Sequence, residues 1–134
     1  MKTRLVAAVA VLVSAVVHLR LWLDGFRDLD VVGPAFMLNA VAGIVITALL
    51  LLWRHWLTLL LALGFGVATL GAFVISTTVG LFGVHEHWVG FYVWAAAVSE
   101  AVAIVAGVLG LWRDGHLSRG RFQHRLAGDS PDLR

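Results

Sequence analysis

The sequence predicts an all-α fold, an integral membrane four-helix bundle with both termini cytoplasmic. Three observations carry that expectation. Sixty per cent of the 134 residues are hydrophobic and only 13% are charged, against about 45–50% and about 25% in soluble domains. The mean hydropathy is +0.92, so lipid rather than polar side chains must cover the apolar surface. Finally, the apolar residues fall into four runs of the length that a hydrocarbon core of about 30 Å requires, and the basic residues lie almost entirely on one side of them.

The first run, residues 4–24, follows Lys2 and Arg4. Its basic start also suits a removable leader, but "VSA" is a poor cleavage site and the apolar pattern continues through Leu19, Leu21 and Leu23. The second run, 34–53, opens on Pro34, whose missing N–H costs nothing in a first helical turn. The third, 56–79, follows Arg54, and the fourth, 91–112, precedes Arg113. Eight of the ten lysines and arginines, all but Arg20 and Arg27, therefore fall on the side of the termini. That bias places this side in the cytoplasm of a cell that carries the chain in its plasma membrane. Trp22, Trp53, Trp56, Trp88, Trp94 and Trp112 lie near span ends, where indole rings favour the interface.

Domain organisation is simple: a four-span domain over 1–112 and a basic cytoplasmic tail over 113–134. The tail reads as a topology anchor, and Leu117, Phe122 and Leu126 suit contact with the inner leaflet. The outward connection "DGFRDLDVVG" alternates sign at Asp24, Arg27, Asp28 and Asp30. It reads first as a self-paired cap and second as an entrance that attracts cations.

Lipid tails are as apolar as leucine, so spans associate through small residues and polar contacts. Rows at four-residue spacing occur in each: Ala10, Ser14, His18; Ala35, Asn39, Gly43, Thr47; Gly64, Ala68, Ala72, Ser76; Ser99, Ala103, Gly107. Such rows keep to one helical ridge. They turn a polar cluster of His18, Asn39, Ser76 and Glu100 towards the bundle interior, in its outer half. At a rise of about 1.5 Å per residue, His18 lies about 9 Å below the outer end of its span, Asn39 about 7 Å and Glu100 about 14 Å.

Glu100 is the most informative residue. An isolated carboxylate in hydrocarbon is costly, and an ionisable side chain inside a span is by default a candidate functional group. His18 is its expected partner and the two form the candidate proton-exchange pair; a purely structural tie between helices is the competing expectation. At the pocket mouth, His85, Glu86 and His87 have the spacing of a metal clip on an extended loop, where side chains i and i+2 share a face. With His18 they offer three imidazoles for zinc or copper. Haem needs a second axial ligand from the same loop, since His18 is the only histidine within the spans. Gly80, Gly83 and Gly90 bracket that loop.

The absence of cysteine excludes disulfides, thiolate metal sites and cysteine nucleophiles. No phosphate loop, dinucleotide fingerprint, zincin motif or nucleophile elbow is present, and a basic end on such a chain speaks of topology rather than nucleic acid. The stretches "HLRLWLDGFRDLDVVGPAFMLNAVAG" and "GLFGVHEHW" with "SEAVAIV" resemble small four-span membrane proteins of high-GC Gram-positive bacteria. Those proteins have no assigned activity, so the resemblance implies topology and host type. Three functions stay open. The first expectation is an accessory subunit, a homo-oligomer or part of a larger membrane complex. A proton-linked carrier or channel using Glu100 and His18 comes second. A redox protein holding a metal, haem or quinone comes third.

Overall fold

The computed structural model describes residues 1–115, and the tail from residue 116 on, with Leu117, Phe122 and Leu126, lies outside the described residues. Four helices run antiparallel in chain order: α1 (Lys2–Leu23), α2 (Val32–Leu52), α3 (Trp56–Thr78) and α4 (Phe91–Arg113). All four are long and apolar enough to cross a membrane. Their bounds fall within two residues of those read from hydropathy. The starts of α1 and α2 each fall two residues early, and α2, beginning at Val32, leaves Pro34 inside the first turn. There the proline still costs no hydrogen bond, because the first four N–H groups of a helix lack helical partners.

The helices form an open ring. α1 lies between α2 and α4, and α4 between α1 and α3, whereas α2 and α3 meet only sparsely. One end of the ring carries the N-terminus, the end of α4 and the short turn from Trp53 to His55; this is the terminal end. The other, the connection end, carries the α1–α2 and α3–α4 segments. A 3-10 turn, Phe26–Asp28, lies in the first segment and packs on Gly33 of α2. A Cβ at Gly33 would stand 2.7 Å from the Phe26 carbonyl oxygen. In the second, Leu81 and Val84 exchange backbone hydrogen bonds of 2.9 Å around Phe82 and Gly83, both at positive φ. That is the turn that favours Asn-Gly, so Phe82 at φ 48° is held in a strained conformation.

The terminal half is tightly packed around Ala7, Val11, Leu59, Ala62 and Ala103. Small residues make this possible. A Cβ on Gly107 would come 2.9 Å from the Leu63 Cβ, and one on Gly66 2.8 Å from the Glu100 carbonyl oxygen. The expected α4 row of Ser99, Ala103 and Gly107 is buried as read. The α3 row needs correction: Gly64 and Ala68 are exposed, and α3 packs through Leu59, Ala62, Phe65 and Gly66 instead. The helix is rotated so that its bulkier ridge meets α4.

Arg4 fastens the terminal end. Its guanidinium donates to the carbonyls of His55 at 3.1 Å and Arg54 at 3.4 Å, to the Thr58 hydroxyl at 2.8 Å, and to Asp114 at 3.4 Å. One fork thus joins α1, the α2–α3 turn, the start of α3 and the end of α4. Sequence reading counted Arg4 only as a topology marker.

Two predictions follow from these contacts. Gly66→Ala is expected to destabilise the bundle by about 1–3 kcal/mol through backbone displacement, while Gly64→Ala, which meets open space, is expected to gain about 0.5–1 kcal/mol of helix propensity. Arg4→Gln strands several acceptors and should cost about 1.5–3 kcal/mol, whereas Asp114→Asn, at a half-exposed pair, should cost about 1 kcal/mol or less. Thermal unfolding of the four purified variants in detergent checks both orders.

Candidate functional site

Above the Gly43 level, α2 and α3 diverge and leave a cavity of about 410 Å³ in the half of the bundle nearest the connection end. The size suits a small molecule. Its wall is mostly apolar, with Phe26, Phe36, Phe73 and Phe82 among its members and Ala35, Ala42, Ala68 and Ala72 along the α2–α3 gap. Phe65 accounts for the divergence. Its ring packs against Gly43 of α2, and a Cβ on Gly43 would meet that ring at 3.2 Å and Ala15 of α1 at 2.7 Å. Beyond this wedge the alanines are too short to close the gap.

Five polar or ionisable side chains of the predicted set reach the cavity: His18, Asn39, Ser76, Glu86 and Glu100. Glu100 is 1% exposed and faces the bundle interior, because Gly66 lets the α4 backbone come close to α3 and turns the side chain towards α1. There the Ser14 hydroxyl donates to Glu100 Oε1 at 3.1 Å. His18 Nε2 lies 3.9 Å from the same oxygen, an ion-pair contact rather than a direct hydrogen bond. The other ring nitrogen is committed: His18 Nδ1–H donates to the Ser14 carbonyl oxygen at 2.8 Å. This fixes the tautomer, so a neutral His18 presents the Nε2 lone pair to Glu100.

The pair is therefore electrically neutral in two ways, as imidazolium with carboxylate or as imidazole with carboxylic acid. The two differ only in where one proton sits. Burial among apolar helices favours net neutrality over either separate charge.

Asn39 lies on the same cavity but pairs elsewhere. Thr69 Oγ1 is 3.1 Å from Asn39 Oδ1 and 2.7 Å from the Phe65 carbonyl oxygen, and Asn39 Nδ2 is buried without a partner. A hydroxyl has one hydrogen, and the shorter bond to Phe65 takes it. Turning the amide over lets its NH2 donate to Thr69 Oγ1 and puts the carbonyl oxygen in the buried position that Nδ2 held. Thr69 went unnoticed in the sequence because one threonine in a span usually bonds its own helix, as it also does here.

Ser76 is drawn to the loop rather than to Glu100: it donates to the Val84 carbonyl at 2.9 Å and accepts from Glu86 N–H at 3.2 Å. It thereby ties the α3–α4 connection over the cavity with Glu86 on the wall. Ser99 donates to its own helix at Ala96, and Thr77 and Thr78 to the Val74 carbonyl.

The metal clip is not assembled. Among the described residues no three His, Asp or Glu side chains gather as ligands. The Leu81–Val84 turn folds the His85 ring back on Gly80, where a Cβ would lie 2.5 Å from His85 Nε2. His87 is exposed, and neither histidine reaches the cavity with His18. The α1–α2 connection is self-paired, as the alternation suggested: Arg20 meets Asp24 at 3.2 Å and Arg27 meets Asp28 at 3.7 Å.

Compared with known proteins, the chain matches no family model, no curated protein and no solved structure.

The polar contacts make opposite predictions for two substitutions. Ser14→Ala takes the hydrogen-bond donor from a buried carboxyl group and should lower stability by about 1–3 kcal/mol. Asn39→Leu removes an under-satisfied amide and leaves Thr69 bonded to Phe65, so stability should hold or rise. Melting temperatures of the two variants test the pair.

Proposed function

We propose that the chain is a small-molecule binding protein of the cell membrane, with the His18–Glu100 pair as a proton-sharing floor. Of the three expected functions, this corresponds to the binding site of a proton-linked carrier. One observation supports it above the others: a cavity of about 410 Å³ whose mostly apolar wall includes the only buried acid–imidazole pair among the described residues. A structural tie between helices has no use for the space beside it. With both termini in the cytoplasm, as the arginine distribution suggests, the cavity lies in the outer half of the bilayer. Its openings are the α2–α3 gap and the connection end. The terminal half, packed around Leu59 and Ala103, separates it from the cytoplasmic side. A full transport cycle therefore requires α2 and α3 to move against α1 and α4.

A second reading, an accessory subunit or homo-oligomer, draws on one specific feature. Gly64 is exposed on α3 and meets nothing within 4 Å, so another helix has room to approach there.

The binding reading is tested with a neutral amphiphile of suitable size, 4-phenylbutanol, and the full chain in nanodiscs. One molecule per chain should bind, and Ala72→Phe, which fills the cavity, should weaken binding by roughly tenfold or more. Equal binding by the wild type and Ala72→Phe would remove the cavity from consideration.

A further inference from the structure

The cavity's hydrogen-bonding inventory is one-sided. Apart from the Asn39 amide and the proton of the His18–Glu100 pair, the side-chain donors on or beside its wall are committed. The Ser14 hydroxyl donates to Glu100, and the Ser76 hydroxyl to Val84. Thr69 donates to Phe65, and His18 Nδ1–H to Ser14. What an occupant finds is acidic: Glu100 with His18 Nε2 beside it, sharing a single proton, and Glu86 at the mouth. Among the described residues no lysine or arginine lines the wall. Arg20 and Arg27 are held by Asp24 and Asp28. An anion entering this cavity would meet two acidic side chains and, among the described residues, no lysine or arginine.

The apolar part of the wall agrees with this. Phenylalanine rings attract cations through their faces, and four of them line the cavity. Phe82 is there at the expense of backbone strain, in a left-handed position of a turn that asparagine would occupy more comfortably. Strain of this kind clusters where a side chain serves a site rather than the fold.

We infer that the cavity takes a singly charged organic cation, a protonated amine on an apolar body, with Glu100 as counter-ion, His18 as a further acceptor, and the phenylalanines around the body. The inference rests on the binding reading above and names its ligand class. It also fixes the proton balance. In the empty site one proton neutralises the His18–Glu100 pair. The cation brings its own positive charge, so that one proton leaves for solvent, and the occupied site holds neutral imidazole, carboxylate and ammonium. The net charge of the site is the same before and after. Among the described residues, no titratable or charged side chain other than His18, Glu86 and Glu100 lines the cavity.

The test compares three molecules of nearly equal shape with the full chain in nanodiscs of zwitterionic lipid: 4-phenylbutylamine, 4-phenylbutanol and 4-phenylbutyrate. Empty nanodiscs supply the partition baseline. The amine should bind at least roughly tenfold more tightly than the alcohol, and the acid at least roughly tenfold more weakly than the alcohol. Calorimetry in buffers of different ionisation enthalpy should find about one proton released per amine bound and none per alcohol. Glu100→Gln should abolish the amine preference while retaining alcohol binding, which also shows that the variant is folded. If that variant does not assemble, the wild-type proton count decides alone. Alcohol binding as tight as amine binding, or amine binding without proton release, overturns the cation inference and leaves the binding reading standing. Failure of all three molecules to bind overturns both.

Discussion

A carboxyl group in the middle of an apolar bundle must be housed, and much of this structure follows from where Glu100 is put. Leaving it against acyl chains is the costly arrangement. Turning it inward requires α4 to approach its neighbours closely, which only small residues allow. Gly66 admits the α4 backbone at Glu100 itself, and Gly107 admits Leu63 and Leu59 about two turns further on. On the facing helix, Ser14 and His18 are one turn apart on the same ridge, so a hydroxyl and an imidazole reach the same oxygen. The Ser14 carbonyl then holds the far ring nitrogen. A donor, a proton-sharing partner and a tautomer lock thus come from a single turn of α1.

The cavity is the counterpart of that close packing. Tight contact along α1–α4 and α3–α4, with α2 held to α1, leaves α2 and α3 joined chiefly through their short turn, which Arg4 grips. Phe65 wedges against Gly43 and sets the spacing of the two helices there. Past the wedge, short side chains face a widening gap. Small residues therefore play opposite parts in one bundle: at Gly66 and Gly107 they bring backbones together, and at Ala68 and Ala72 they leave space. The two roles differ only in whether a neighbouring helix is drawn in by other contacts.

This explains what could and could not be read from the chain. Helix number and bounds were legible because the thickness of a bilayer dictates a run length, and Trp and Arg mark its ends. The meeting of His18 with Glu100 was legible in outline, since few polar groups share that depth and all of them are costly in lipid. Helix rotation was not. The α3 row of Gly64 and Ala68 has the same spacing as the packed row of α4, and spacing alone cannot say which ridge meets a neighbour. Nor could hydrogen-bond competition be read: Ser76 has two backbone partners in a loop whose path depends on Phe82 at positive φ. Thr69 and Arg4 were missed for a related reason. Their partners lie 30 and about 50 residues away, in contacts that exist only once the ring has formed.

The same geometry bears on whether the proton of the pair is fixed or exchangeable. At 3.9 Å, His18 Nε2 and Glu100 Oε1 are about 1 Å too far apart to share a hydrogen directly. Closing that distance means turning one of the two side chains away from Ser14, whose carbonyl holds His18 Nδ1 and whose hydroxyl donates to Glu100. A group in the adjoining cavity spans the distance without moving either helix. The Ser14 contacts therefore set the two titratable groups apart, and the cavity beside them is a place from which a third group can join them. Occupancy of the cavity and the position of the proton are in that sense one equilibrium, set by packing that holds the pair close enough to be neutral together and too far apart to be satisfied alone.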